Sequence, residues 1–255
     1  MCLALALAAC DGDGGPDTSP SATASPSVSP SVTPPPPSVS PSASPTEGPS
    51  ETPALEPDLQ LPADAPTELA EPLEPAAIEG TGYVDLLPPG ATAAAVESFE
   101  EPFAQIAVSW YRGDDAFAHQ TGFVVWQRFQ TGPPWRAVYA FTNRASSGVF
   151  SVTLQGGDVT GDGIADILSR EDTGGSGACA TWRVVTPALG SASETYRRQA
   201  CDTSIEISGG ALSLREAVYE PDDPHCCPSA FRYVTLGWDG DAFVQTSSEI
   251  VDNPS

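Results

Sequence analysis

The sequence contains no lysine, and all ten of its basic residues are arginines, the first of them Arg112. Against 34 acidic residues this gives a net charge of -24, so no basic stripe is present to meet a phosphate backbone. Histidine occurs only at His119 and His225, and neither lies in an HExxH, Gly-x-Ser-x-Gly or triad pattern. We therefore expect no nucleic-acid partner, and no catalytic residue is identified by a motif.

Aromatic residues are absent before Tyr83, whereas 17 of the 27 prolines lie between Pro16 and Pro75. The stretch 11–76 is built from Ser, Pro, Thr, Ala and Glu, and such a composition buries too little apolar surface to offset the entropy of ordering the chain. We predict that it is a disordered tether. The remainder, 77–255, holds all five tryptophans and all nine phenylalanines and is predicted to form one globular domain.

The first ten residues, MCLALALAAC, form a short apolar run that ends in Leu7-Ala8-Ala9-Cys10. This ending resembles the bacterial lipobox, which implies that Cys10 is lipidated and anchors an exported, extracytoplasmic protein to the cell membrane. Only nine residues precede Cys10 and none is basic, so we interpret residues 1–10 as a truncated signal segment. No other segment approaches the length of a membrane span.

Residues beyond Gly90 alternate with a period near two in short runs rich in aromatic and β-branched side chains, which is typical of strands. Only Thr92–Phe99 is predicted to be helical. The spacing of the strands predicts an all-β domain, either an antiparallel sandwich or a meander. The predicted strands are 106–111, 122–129, 135–141, 148–154, 165–169, 181–185, 195–200, 204–207, 212–219, 231–238 and 242–245.

The run Gly157-Asp-Val-Thr-Gly-Asp-Gly-Ile-Ala-Asp-Ile-Leu168 carries the clearest chemical pattern. Gly163 permits a sharp turn, and the Ile164 carbonyl follows it directly. Oxygen donors at alternate positions of a tight loop suit Ca²⁺, which takes six to eight oxygen ligands. The side chains that supply these oxygens are Asp158, Thr160, Asp162 and Asp166.

An EF-hand would require a bidentate Glu at the twelfth position of this loop, where the chain has Ser169. The run instead resembles the calcium loop of the FG-GAP and VCBS repeats of integrin-type β-propellers, which lies between two strands. The motif occurs once here, so the resemblance implies the metal loop and not the propeller. It implies Ca²⁺ ligation by Asp158, Thr160, Asp162, the Ile164 carbonyl and Asp166.

Four cysteines lie in the predicted domain, and in an exported protein an even number indicates two disulfides with three connectivities open. Cys179 and Cys201 flank a predicted hairpin near Gly190 and are candidates to pair across it. That pairing leaves Cys226 and Cys227 to form a strained vicinal bridge. The unstrained alternatives join Cys226 and Cys227 to Cys179 and Cys201 in either order.

The segment Asp222-Asp-Pro-His-Cys-Cys-Pro-Ser229 resembles that of secreted actinobacterial proteins with a single Gly-Asp-x-Thr-Gly-Asp-Gly loop. The leading hypothesis is a non-enzymatic binding or structural module of the cell envelope, with a cell-wall glycan or protein as its partner. One alternative is a carbohydrate-active hydrolase that uses carboxylates such as Glu171, Asp172, Asp222 and Asp223. Another is a ligand-sensing ectodomain.

Overall fold

A computed structural model describes residues 59–69, 82–115, 119–129, 134–174 and 178–253. All of them belong to one compact unit, Thr52–Ser255. A second unit, Met1–Glu51, lies outside the described residues, and with it Cys10 and most of the predicted tether.

The described residues form antiparallel sheets and contain no α-helix, which confirms the all-β prediction. Sheet A has the order β1-β5-β4-β3-β2, sheet B is the meander β6-β7-β8-β9, and sheet C is the meander β10-β11-β12-β13. The strands are β1 (Glu68–Leu69), β2 (Thr92–Phe99), β3 (Gln105–Arg112), β4 (Gln120–Gln127), β5 (Trp135–Asn143), β6 (Ser151–Gly157), β7 (Asp166–Gly174), β8 (Cys179–Ala188), β9 (Ser191–Ala200), β10 (Thr203–Ser208), β11 (Ala211–Val218), β12 (Ala230–Trp238) and β13 (Phe243–Asp252).

Sheet B lies between the other two sheets, because apolar side chains of both its faces are buried. One face packs against sheet A through a cluster that includes Phe123, Val138 and Ile167. The other face packs against sheet C through a cluster that includes Trp182 and Leu214. Burial of these apolar faces is the main favourable contribution to the stability of the stack.

The outer face of sheet A is covered by chain segments that precede β2. Leu59, Leu61 and Leu69 pack against a buried cluster that contains Trp110 and Trp126. Strand β1 also pairs with β5. Residues 59–69, which fall within the predicted tether, therefore contact the folded domain.

The helix predicted at Thr92–Phe99 is wrong, since this segment is strand β2 and pairs with β3 along its length. Helix propensity is a weak preference that tertiary contacts override. In β2, Val96 packs against the outer cluster of sheet A and Phe99 against the cluster shared with sheet B. A strand reaches both clusters because its successive side chains point to opposite faces.

The end of β6 joins all three sheets. A Cβ on Gly156 would lie 2.0 Å from the ring of Phe99 in sheet A, and one on Gly157 would lie 2.8 Å from Ile207 in sheet C. The Gln155 side chain donates to the Ile207 carbonyl at 3.0 Å and accepts from the Ile207 N–H at 2.9 Å. The close packing at positions 156 and 157 therefore requires glycine. The loop predicted to bind metal begins at the next residue.

Candidate metal centre

The candidate loop is the connection of the β6–β7 hairpin, from Asp158 to Ala165. Gly161 and Gly163 have φ values of 77° and 84°, the left-handed region that favours glycine. Val159 is buried between sheets B and C, and the Gln105 side chain donates to the Ala165 carbonyl at 2.9 Å. The loop is thus fixed to the core at both of its ends.

Asp158 and Asp162 organise the tip of the loop through hydrogen bonds to its backbone. The carboxylate of Asp158 accepts from the N–H of Gly161 at 2.7 Å and of Gly163 at 3.0 Å. Asp162 Oδ1 accepts from the Ile164 N–H at 2.8 Å. These bonds hold both side chains against the loop and leave carboxylate lone pairs unused, since each oxygen can accept more than one bond.

Asp166, the first residue of β7, lies beneath the loop and is completely buried. Its Oδ2 accepts from the N–H groups of Val159 at 2.8 Å and Thr160 at 3.0 Å, and from the Thr160 hydroxyl at 3.1 Å. Its Oδ1 is buried and makes no hydrogen bond of normal geometry among the described residues. An under-satisfied buried carboxylate is costly and calls for a compensating positive charge.

Burial raises the pKa of Asp166 above the ordinary aspartate value, and the interactions with Thr186, Val159 and Thr160 oppose this only in part. Within the described part of the chain, no salt bridge involves Asp158, Asp162 or Asp166. The negative charge of the loop is therefore balanced by N–H dipoles and not by arginine.

The structure brings the five predicted ligands into one hairpin loop, but it does not gather them into a coordination sphere. Among the described residues, no group of three His, Cys, Asp or Glu side chains is placed to hold a metal ion. Thr160 and Asp166 are in direct contact, while Asp158 and Asp162 bond to backbone nearer the tip. The donor chemistry nevertheless fits a hard cation, because all the donors are oxygen and the buried Asp166 Oδ1 has no hydrogen bond of normal geometry among the described residues.

The cysteines of the described domain fall into two pairs. Cys179 and Cys201 form a disulfide. They are brought together because each is next in sequence to a residue of the Ala180–Ala200 pair, which the register of β8 and β9 places opposite each other. This is the cross-hairpin option among the connectivities that the sequence left open. Cys226 and Cys227 are exposed free thiols with their Sγ atoms 2.7 Å apart.

Three of the four carboxylates considered for hydrolysis have structural partners. Glu171 is buried against Arg183, and Asp172 pairs with Arg170 at 2.6 Å. Asp223 accepts hydrogen bonds within its own turn, and Asp222 is exposed. None of these carboxylates is among the lining residues of three clefts in the described part of the chain.

The sequence did not predict the buried network around Arg183. This guanidinium pairs with Glu171 and, at 2.5 Å, with Glu194, and it stacks 3.8 Å from the centre of the Phe141 ring. Asn143 also donates to Glu171 at 3.2 Å. The partners of Arg183 lie on strands of two sheets. They are brought together only by the register of those strands, so their spacing in the sequence did not predict the network.

Comparison with protein-family models and with curated proteins finds no match to the chain. Among the residues that the structure describes, no helix is long and apolar enough to cross a membrane. The function is therefore inferred from the residues of the chain itself.

Proposed function

We propose that this chain is a lipid-anchored, extracytoplasmic β-domain that binds Ca²⁺ and acts as a binding or structural module of the cell envelope. The membrane attachment rests on the lipobox-like ending at Cys10 and on the proline-rich segment that follows it. Proline-rich chains are extended spacers, which suits a domain held away from a membrane surface.

The observation that carries the metal proposal is the arrangement of Asp158, Asp162 and Asp166 around the β6–β7 loop. Their carboxylates are oriented by backbone N–H groups and have no arginine partner among the described residues. Within the same residues, one buried oxygen, Asp166 Oδ1, has no hydrogen bond of normal geometry. Ca²⁺ would be held by these carboxylates together with the Thr160 hydroxyl and the Ile164 carbonyl, with water completing six to eight ligands.

A bound cation would neutralise this charge and fix the loop. Because the loop directly follows the point where β6 meets sheets A and C, binding stabilises the contact between the sheets. Extracellular modules of this kind bind Ca²⁺ with dissociation constants of about 0.1 to 1 mM. At ten times the dissociation constant, binding adds about 1.4 kcal/mol to the free energy of unfolding.

The test is calorimetric titration of Ca²⁺ into the full chain, with thermal melting in Ca²⁺ and in EDTA. We expect one site and a higher melting temperature with Ca²⁺, and we expect Asp158→Asn to lose both effects. Asp239→Asn is the matched control, because Asp239 also accepts two backbone N–H bonds in an exposed turn, at 3.0 and 2.9 Å, but lies outside the loop. An unchanged melting temperature in EDTA, with no heat of binding, would refute the metal site.

The envelope partner is a cell-wall glycan or a protein. It is sought by screening immobilised glycans and peptidoglycan fragments against the full chain, with and without chelator. A partner retained only in Ca²⁺ supports a metal-dependent binding module. Retention that EDTA leaves unchanged supports a binding surface separate from the loop, and no retention at all indicates a structural role.

A further inference from the structure

The connection between β11 and β12 is a tightly bonded turn. The Asp223 carboxylate accepts from the N–H groups of Glu220 at 2.7 Å and Ser229 at 2.8 Å, and from the Ser229 hydroxyl. Asn253 donates to the Pro228 carbonyl at 3.0 Å from the end of the last strand. The turn is therefore held by the Asp223 side chain from within it and by the Asn253 side chain from the end of the described chain.

The middle of the turn is fixed as well. The Tyr219 hydroxyl donates to the His225 carbonyl at 2.7 Å, and its ring stacks edge-on against the His225 ring. The Cys227 N–H donates to the Pro224 carbonyl at 2.9 Å. These bonds hold the main chain on both sides of Cys226.

The Sγ atoms of Cys226 and Cys227 are 2.7 Å apart, and both residues are exposed. Cys226 also lines a cleft of about 370 Å³, together with Arg215 and Tyr219. The far side of the cleft includes Ala178 and Asp202, the neighbours in sequence of the disulfide-bonded Cys179 and Cys201. Both thiols are thus exposed to small molecules, and Cys226 also borders the cleft.

We propose that Cys226 and Cys227 form a redox-active vicinal pair, which small organic disulfides oxidise to a Cys226–Cys227 disulfide. The two thiols are adjacent in the chain and exposed, and their sulfur atoms face each other at 2.7 Å, so the pair is placed for ring closure. Adjacent Cα atoms are about 3.8 Å apart, below the usual span of a disulfide, so the bond that forms is readily reduced again by thiols.

The exchange has two steps. Cys226 as a thiolate attacks one sulfur of the small disulfide, which forms a mixed disulfide and releases one small thiolate. Cys227 then loses its proton to solvent and attacks the Cys226 sulfur, which releases the second small thiolate. The two cysteines lose two electrons, and the small disulfide gains them and yields two thiols.

The order of attack follows from the contact between the two thiols. The hydrogen bond with Cys226 raises the pKa of Cys227, and the charge of Asp223 adds to the effect. Cys227 therefore keeps its proton to a higher pH than an ordinary cysteine. Cys226 also lines the cleft, whereas Cys227 is not among the residues that line it, so the first attack is assigned to Cys226 and the closing of the ring to Cys227.

The test uses the full chain equilibrated in glutathione buffers of increasing oxidised fraction, then alkylated and cleaved at arginine. The peptide 216–232 contains Cys226 and Cys227 and no other cysteine, while Cys179 and Cys201 fall in peptides 171–183 and 199–215. In reducing buffer, both thiols of the peptide 216–232 should be alkylated. In oxidising buffer we expect neither to be alkylated, and the peptide should be lighter than its free dithiol form by two hydrogen atoms. Joining of this peptide to another, or alkylation that persists in the most oxidised buffer, would overturn the proposal.

Two serine variants test the order of attack. Cys227→Ser is expected to accumulate a glutathione adduct on Cys226, because the thiol that would displace glutathione is missing. The wild type is expected to show no lasting adduct. The mechanism is contradicted if Cys227→Ser stays unmodified or if a glutathione adduct persists in the wild type. The variant Cys226→Ser is expected not to form the Cys226–Cys227 disulfide ring. Both positions are exposed, so equal melting temperatures confirm that the variants are folded.

Discussion

Replacing Arg183 with methionine tests the buried ion pair that Arg183 and Glu171 form within sheet B, next to Phe141 and Asn143 of sheet A. The Arg183 and Glu171 side chains are only 4% and 3% exposed. Removing the guanidinium leaves the Glu171 carboxylate buried, with the Asn143 amide as its one remaining side-chain partner among the described residues. Breaking a buried pair in this way costs about 3–5 kcal/mol, a large part of the 5–15 kcal/mol that holds a typical domain together. In a domain of this size the melting temperature should fall by about 6–20 °C.

The assay is urea denaturation followed by tryptophan fluorescence, with the slope of the transition checked for constancy. Arg170→Met is the matched control, because Arg170 pairs with Asp172 at 2.6 Å but its side chain is 41% exposed, and such pairs contribute less than about 1 kcal/mol. The double variant Glu171→Gln/Arg183→Met should lose about 1–3 kcal/mol less than the sum of its single variants. If Arg183→Met costs no more than Arg170→Met, the energetic role given to the pair is wrong.

Three further outcomes are expected. Burial raises the pKa of Asp166 in the folded state, so the free energy of unfolding, measured in EDTA, should fall as the pH rises through that pKa. It should be regained as the pH drops toward the ordinary aspartate pKa. The variant Asp166→Asn should flatten this pH dependence in denaturant titrations. Gly122→Ala places a Cβ 2.4 Å from the Phe141 carbonyl, and calorimetry should show a loss of about 1–3 kcal/mol. Val159→Ala opens a cavity under the loop, costing about 2 kcal/mol, and should weaken Ca²⁺ binding in a titration.

Much of the sheet structure could be predicted, because β-branched and aromatic runs bounded by Gly and Asp are a local signal. Each of the later strands, such as Phe231–Trp238, overlaps a strand of the structure. The helix predicted at Thr92–Phe99 was wrong because alanine favours a helix locally, while pairing with β3 is set by distant residues. Similarly, β3 and β4 are buried on both faces, so a period near two in their sequences does not separate a buried face from an exposed one.

The candidate site was partly predictable for the same reason. The loop from Asp158 to Asp166 is a contiguous pattern, and the structure places it between two strands as expected. Its metal ligation stays a prediction. The pairing of Cys179 with Cys201, by contrast, depends on the register of β8 and β9, and the Arg183 network depends on how two sheets stack. Features of this kind arise from contacts that one-dimensional spacing does not encode.

The contacts of Gln155, Gly156 and Gly157 determine how the protein unfolds. Sheet A packs against Gly156. Sheet C packs against Gly157 and is hydrogen-bonded to Gln155. Neither outer sheet can separate without uncovering β6, and β6 cannot leave without releasing both. Denaturant or heat should therefore remove all three sheets in a single cooperative transition, with hydrogen exchange in β3, β7 and β11 occurring through one common opening.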